Sequence, residues 1–557
     1  MPATTSIRNV GKAENKAAGA AGIVLATLAA GQFLMMFDAS VMNVSIATVA
    51  HDLGTTVTGI QTAITLYTLV MAMFMITGGK IGAIFGRRRV FAVGCVIYGC
   101  GSLTTALSPN IGVMILGWSF LEGLGAALIM PAIVALIASN FPATERPRAY
   151  GLVASAGAMA VAVGPLIGGL FTTYFSWRWV FAGEVAIVAG VLLLARRMAD
   201  APSPRRPRID FVGTVLSALG LGLFVLGVLR SSTWGWIEPK PDAPSLFGVS
   251  ATIWFILGGG AVLWGFLAWE RRQVARGAEP LVEPDMLDNR QLRGGLTVFF
   301  FQFFLQAGLF FIIPLFLSVA LGLSALQTGL RLLPLSITLL LAAAGIPKLW
   351  PNASPRRVVQ LGLVGLLLGI VSLLAGLDAG AGPGVTTVPL LLAGFGIGAL
   401  ASQLGSVTVS SEPDEKSSEV GGLQNTVTNL GISLGTALAG SILIASLTAS
   451  FLSGISQNPA VPKDITSQAT VQLASGAPFV SDAQLTQSLD KAGVPPETAT
   501  AIVDENTKAR IKSMRTSLAV LALLSVLSLF FTRRIPTTQP GTAAAAHDEA
   551  EVGGSPP

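Results

Sequence analysis

The chain is poor in charge, in cysteine and in histidine. Only 11 % of its 557 residues are charged, against about 25 % in soluble domains. With 52 % of residues hydrophobic and a mean hydropathy of +0.69, such a chain in water would expose aggregating apolar patches, which excludes a soluble protein. Its two cysteines, Cys95 and Cys100, exclude a disulfide framework and read as structural thiols. The two histidines, His51 and His547, fall in a loop and in the tail, where neither suits a metal or a relay. No glycine-rich phosphate loop follows a strand, since Gly394-Phe395-Gly396-Ile397-Gly398 sits in an apolar helical stretch. No nucleophile–base or metal-ligand spacing is present either. An enzyme, an ATP-driven pump, a bound cofactor and a metal are therefore not expected.

What is present is long apolar runs. A spanning helix needs about 20 mostly apolar residues, and fourteen stretches qualify. The first seven lie near 21–46, 57–78, 90–108, 111–139, 149–173, 179–195 and 210–230. The rest lie near 246–269, 293–318, 326–345, 358–377, 385–410, 420–449 and 516–532. The run from Ala21 is too long for the core of a cleaved leader and continues through Asp38, so the first span is expected to be retained. The 63 glycines fit helices that approach closely in lipid.

If the N-terminus lies inside and the spans alternate, 25 of the 35 Lys and Arg fall inside. The net charge of +6 is then an orientation signal and not a nucleic-acid surface. Both termini are expected in the cytoplasm. Residues 450–513 are expected outside, with an amphipathic helix from Glu497 to Lys512. The tail 536–557 reads as disordered.

The stretch Arg88-Arg89-Val90-Phe91-Ala92-Val93-Gly94 is echoed by Arg356-Arg357-Val358-Val359-Gln360-Leu361-Gly362. Both open the third span of a six-span block, which predicts parallel repeats with spans 7 and 8 inserted between them. The expected organisation is a cytoplasmic segment 1–20, a six-helix bundle 21–195, a linker with two inserted helices 196–292, and a second bundle 293–535.

Spans 2 and 3 are joined by Gly79-Lys80-Ile81-Gly82-Ala83-Ile84-Phe85-Gly86-Arg87-Arg88. This resembles the signature loop of the major facilitator superfamily, with Ala83 where that family usually carries Asp. The resemblance implies a gating loop built on Gly79, Lys80, Gly82, Gly86, Arg87 and Arg88. In span 5, Gly157, Gly164, Pro165, Gly168 and Gly169 look like the family's antiporter motif, and Gly157, Gly164 and Gly168 share one stripe. Pro165 is expected to bend this helix, with no side-chain donor to satisfy the freed carbonyl.

In span 1, Asp38-Ala39-Ser40-Val41-Met42-Asn43 is similar to the Asp-x-Thr-x-x-Asn pattern of the fourteen-helix drug:proton antiporters. Gln61 and Tyr67 in span 2 match that family too. The segment Ser119-Phe120-Leu121-Glu122-Gly123 resembles its span 4 motif, with Ser119 for Arg and Glu122 for Gln. Three carboxylates, Asp38, Glu122 and Glu184, stand at membrane depth. Each ionised group there costs about 2.5–3.5 kcal/mol on insertion scales, so a functional role is expected, with structural capping or pairing near a helix end as the alternative. The candidate site is therefore Asp38, Glu122, Glu184, Gln61, Tyr67 and Asn43, for proton coupling or substrate binding.

The expected fold is all-α with fourteen transmembrane helices, in the major-facilitator arrangement of two six-helix bundles and two inserted helices. The resemblance implies an exporter of small amphipathic or cationic compounds in exchange for protons, working as a monomer in the plasma membrane. A dedicated exporter of one metabolite, antibiotic or lipid-like molecule is the alternative on the same scaffold. A membrane sensor or scaffold that transports nothing is the alternative of a different class, with Ala83 as its only hint.

Overall fold

A computed structural model describes residues 3–141, 146–198, 209–241, 243–378, 380–412, 417–473 and 476–538. The tail beyond Thr538, the linker arginines Arg205, Arg206 and Arg208, and Lys416 lie outside the described residues.

Among the described residues, fourteen helices are long and apolar enough to cross a membrane, and they coincide with the fourteen expected runs. The first half holds α1 (Ala3–Asp52), α2 (Val57–Phe85), α3 (Arg87–Ala106), α4 (111–140), α5 (Arg146–Tyr174) and α6 (Arg178–Ala195). The inserted pair is α7 (Phe211–Trp234) and α8 (Ala251–Ala275). The second half has α9 (Arg290–Ala320), α10 (Ala325–Leu349), α11 (Pro355–Gly376), α12 (Thr387–Val409) and α13 (Ser417–Gln457). Two short helices follow, α14 (Lys463–Gln472) and α15 (Asp482–Lys491), before the last span α16 (Pro496–Phe531).

Two expectations shift. The helix of α1 already begins at Ala3, well before the apolar run. The amphipathic stretch from Glu497 is not a separate helix: it is the first half of α16, which runs unbroken into the membrane segment. No Gly or Pro interrupts 497–531, so nothing stops the helix from propagating.

Alternation of the helices gives the molecule two faces, named here for Asp52 and for Gly86. The repeat has a physical meaning at the Gly86 face. Arg88 at the start of α3 donates to the carbonyls of Met198 (3.1 Å) and Arg196 (3.5 Å), just beyond α6. Arg356 at the start of α11 donates to those of Ile535 (2.8 Å) and Arg533 (2.9 Å), just beyond α16. In each half the same arginine meets the negative end of the last helix.

The halves meet along α2 with α13 and α5 with α10, and α1 also touches α9 and α10. The α5–α10 contact is built from glycines near the Asp52 face. A Cβ on Gly169 would come within 2.8 Å of the Leu326 Cα, and one on Gly329 would strike the Pro165 carbonyl. Leu326 N–H also donates to the Thr173 hydroxyl at 3.0 Å. Of the inserted pair, α7 packs against α2 and α13, with Thr77 and Thr214 hydroxyls 3.2 Å apart and Ser441 donating to the Val228 carbonyl at 3.1 Å.

Candidate functional site

The three intramembrane carboxylates come together. Asp38 of α1, Glu122 of α4 and Glu184 of α6 each offer an oxygen within 4.8 Å of the others, and all three are buried. α4 is locally wound as a π-helix over Ile115–Glu122. That rare geometry is frequent at functional sites, and here it carries both Glu122 and Trp118. The Trp118 indole N–H points between the Asp38 oxygens, at 2.8 and 3.0 Å. Tyr67 stacks on Trp118 with ring centroids 5.3 Å apart.

α3 supplies hydroxyls to the two glutamates. Thr105 donates to Glu122 Oε1 at 3.2 Å, and Ser102 (3.0 Å) and Tyr98 (3.4 Å) donate to Glu184 Oε2. The spacing of 98, 102 and 105 puts these three on one face of α3. Gly101 and Gly117 make the approach possible: a Cβ on Gly101 would lie 2.6 Å from Glu122 Cγ, and one on Gly117 would lie 2.7 Å from the Thr105 hydroxyl. Glu122 Oε2 and Glu184 Oε1 are buried and have no hydrogen-bond partner among the described residues. The groups facing the trio are an indole N–H and hydroxyls.

The other expected site residues are elsewhere. Gln61 donates to the carbonyls of Thr436 (3.2 Å) and Ala437 (3.1 Å), so it ties α2 to α13 across the halves. Asn43 donates to the Ala39 carbonyl at 3.0 Å and faces the seam between the halves, away from the carboxylates. Tyr98, Ser102, Thr105 and Trp118 were not singled out from sequence. The 98–102–105 hydroxyl spacing on α3 is the signal for the first three, and Trp118 has none outside the fold.

The signature segment differs from the expected loop. α2 stays helical through Phe85, so Gly79, Lys80 and Gly82 are helical residues, and only Gly86 breaks the helix. Gly86 has φ +97°, a conformation that favours glycine. The close approach is made by Gly78, whose Cβ would strike the Ala127 carbonyl; a Cβ on Gly82 would meet nothing within 4 Å. Arg87 donates to the Ala135 carbonyl at 3.1 Å. Lys80 lies within electrostatic reach of Glu270, Glu419, Glu279 and Asp210. Asp210 and Glu270 belong to the inserted pair, which therefore brings carboxylates to a segment that lacks one at Ala83.

The span 5 glycines pack against α1, and one expectation about Pro165 is corrected. A Cβ on Gly164 or Gly168 would come within 2.6 Å of Ser40 or 2.7 Å of Val41, and one on Gly157 within 3.2 Å of Gln32. Pro165 frees the carbonyl of Val161, four residues earlier. A donor does exist: the Ser40 hydroxyl reaches that carbonyl at 3.3 Å. It comes from α1, so nothing in the sequence of span 5 points to it.

A polytopic helical carrier is the class that these features define, with a seam between two similar halves and a polar cluster at membrane depth. The model of the Major Facilitator Superfamily matches residues 28–436, and the chain belongs to that family. It is a transporter and not an enzyme. It is 30 % identical over 439 residues to a probable actinorhodin transporter of Streptomyces coelicolor, covering 76 % of this chain and 72 % of that one. It is 29 % identical over 430 residues to the tetracenomycin C resistance and export protein of Streptomyces glaucescens, covering 76 % of each. A multidrug resistance protein, Stp, of Mycobacterium tuberculosis is 25 % identical over 75 % of each chain. Among solved structures, a bacterial homologue of the human lysosomal transporter Spinster superposes with a TM-score of 0.56 at 15 % identity, over 93 % of this chain and 98 % of that one. That likeness is one of fold.

Proposed function

We propose that this protein is a proton-coupled exporter of small amphipathic molecules, with Asp38, Glu122 and Glu184 as its proton carrier. The observation that supports this most is the trio itself: three buried carboxyl oxygens within 4.8 Å of one another, with no cation bonded to them among the described residues. Three full negative charges at that depth and spacing would repel strongly, so the cluster holds protons in at least one state. Gain and loss of those protons is the chemistry that a downhill proton flow needs.

Gln61 and the Gly169–Gly329 contact belong to the parts that join and part as the seam opens. The segment Gly79–Arg88 carries the pivot at Gly86, with Lys80, Arg87 and Arg88 anchoring it. The halves that move are 21–195 and 293–535, with 196–292 inserted between them. The chain sits as a monomer in the plasma membrane with both termini in the cytoplasm.

Relatives named for actinorhodin and for tetracenomycin C favour a second reading, export of one dedicated antibiotic-like compound. Purified protein in liposomes, loaded with a panel of dyes and antibiotics, tests both. An imposed pH gradient should accelerate efflux. Flux indifferent to the gradient overturns proton coupling, and acceleration of a single compound favours the dedicated exporter.

A further inference from the structure

The inserted helices carry acids of their own, at the Gly86 face. Asp210 opens α7, and its Oδ1 caps that helix by accepting the Gly213 N–H at 2.9 Å. Its Oδ2 accepts the Trp269 indole N–H at 2.7 Å, which fastens α7 to α8. Glu270, the next residue of α8, is fully buried. Its Oε2 accepts the backbone N–H groups of Leu281 (2.6 Å) and Val282 (3.3 Å). Its Oε1 is buried and has no hydrogen-bond partner among the described residues. The two acids meet over Gly213. A Cβ there would strike Glu270 Oε1 and lie 2.6 Å from Asp210 Oδ2, so both oxygens crowd the space that this glycine leaves empty.

Leu281 and Val282 belong to a strap, residues 276–289, that joins the inserted pair to α9. Both are buried in one cluster with Ile76 of α2, Leu216 of α7 and Leu423 of α13. Met286, further along the strap, packs with Val420 and Leu423 of α13 and with Leu292 of α9. Glu270 thus holds the strap where α2 of the first half meets α13 of the second. No cation is bonded to Asp210 or Glu270 among the described residues. Lys80 of α2 lies within electrostatic reach of both acids, and of Glu419 on α13 and the exposed Glu279 in the strap. Arg271 and Arg272, next along α8, are exposed.

We propose that Asp210 and Glu270 form a second proton site, which takes one proton between Glu270 Oε1 and Asp210 Oδ2 and thereby seats the strap. Two ionised carboxylates over one glycine, with no bonded cation, repel each other. With one proton, the O–H of one acid donates to the other, both oxygens of Glu270 are engaged, and Oε2 keeps the strap. When that proton leaves, repulsion turns Glu270 away from Asp210 and Lys80 attracts it. The Leu281 and Val282 N–H groups then lose their acceptor, and the strap between the halves is freed. The ligand is a proton from the medium at the Gly86 face. The trio on α1, α4 and α6 takes no part, so the site goes beyond the coupled-export reading and does not depend on it.

The test uses the full chain in lipid nanodiscs, carrying Cys95→Ala and Cys100→Ala. Val282→Cys, or Leu281→Cys if the first fails to fold, reports the strap, and Ala278→Cys at an exposed position is the reference. The ratio of their maleimide rates follows exposure, because the effect of pH on the thiol is common to both. It should rise about tenfold from about pH 5 to about pH 8. Glu270→Gln should hold the ratio low throughout, since its amide N–H donates to Asp210 at every pH and its oxygen keeps the strap. Gly213→Ala, whose methyl parts the two acids, should give the high ratio already at about pH 5, and it decides the matter if Glu270→Gln does not fold. Three results overturn the proposal: a ratio indifferent to pH, a pH response that survives Glu270→Gln, or a Gly213→Ala ratio as low as the unsubstituted one at about pH 5. None of these readings involves transport, so coupled export stands or falls on its own test.

Discussion

Asp38 has no cation partner among the described residues: its bonded neighbour is the neutral indole of Trp118, at 2.8 and 3.0 Å from its two oxygens. Breaking a buried ion pair costs about 3–5 kcal/mol, and no such pair is bonded here. Asp38→Asn keeps an oxygen for the indole N–H and removes the capacity to change charge. The variant should therefore unfold no earlier than the wild type in detergent, and its export should no longer respond to a pH gradient. A well-folded Asn variant with undiminished pH dependence would move the carrier role to Glu122 or Glu184. The three carboxylates were legible in the sequence because a charge at membrane depth is rare and costly. Trp118 and the α3 hydroxyls were not, since Trp, Ser and Thr are ordinary in membrane helices and only the fold shows that they aim at one point.

Single side chains set how the elements meet. Pro165 removes a backbone donor from α5, and Ser40 of α1 restores one at 3.3 Å from the Val161 carbonyl. Ser40→Ala should leave that carbonyl unsatisfied and cost about 1–3 kcal/mol, read as a lower unfolding temperature, while Ser40→Thr keeps the hydroxyl and should behave as wild type. The glycines beside Pro165 admit even less change. With a bare Cβ already 2.6–2.7 Å from α1, Gly164→Leu or Gly168→Leu must push α5 and α1 apart. Both variants should insert and express, since insertion is set by the apolar runs, yet fail to export. Full transport by both would mean that this packing is irrelevant to the cycle. The stripe was readable from its spacing of seven and four residues. Its partner helix was not, because nothing within span 5 names α1, just as nothing in Glu497–Lys512 says that the helix continues into the membrane.

At the scale of the molecule, the count of fourteen spans was readable from hydropathy alone, because lipid demands long apolar helices and little else satisfies the backbone there. The seven-residue echo also held structural information: Arg88 and Arg356 perform the same bond on the same face. Their shared face ties the repeat to orientation, since cations gather on the cytoplasmic side. The Gly86 face carries Arg87, Arg88, Arg356, Arg357, Arg533 and Arg534, and the Asp52 face carries α14 and α15. The Gly86 face should therefore be cytoplasmic. In a chain without its native cysteines, Gln487→Cys on α15 should react with an impermeant maleimide in intact cells. Thr538→Cys, just past α16, should react only after permeabilisation. Both positions are exposed, so reagent access depends on sidedness and not on burial. Labelling of Thr538→Cys with sparing of Gln487→Cys would invert the molecule and put the arginine-rich face outside. The α5–α10 glycine contact that closes the seam near the Asp52 face would then close it toward the cytoplasm, so this conformation would be the outward-facing one.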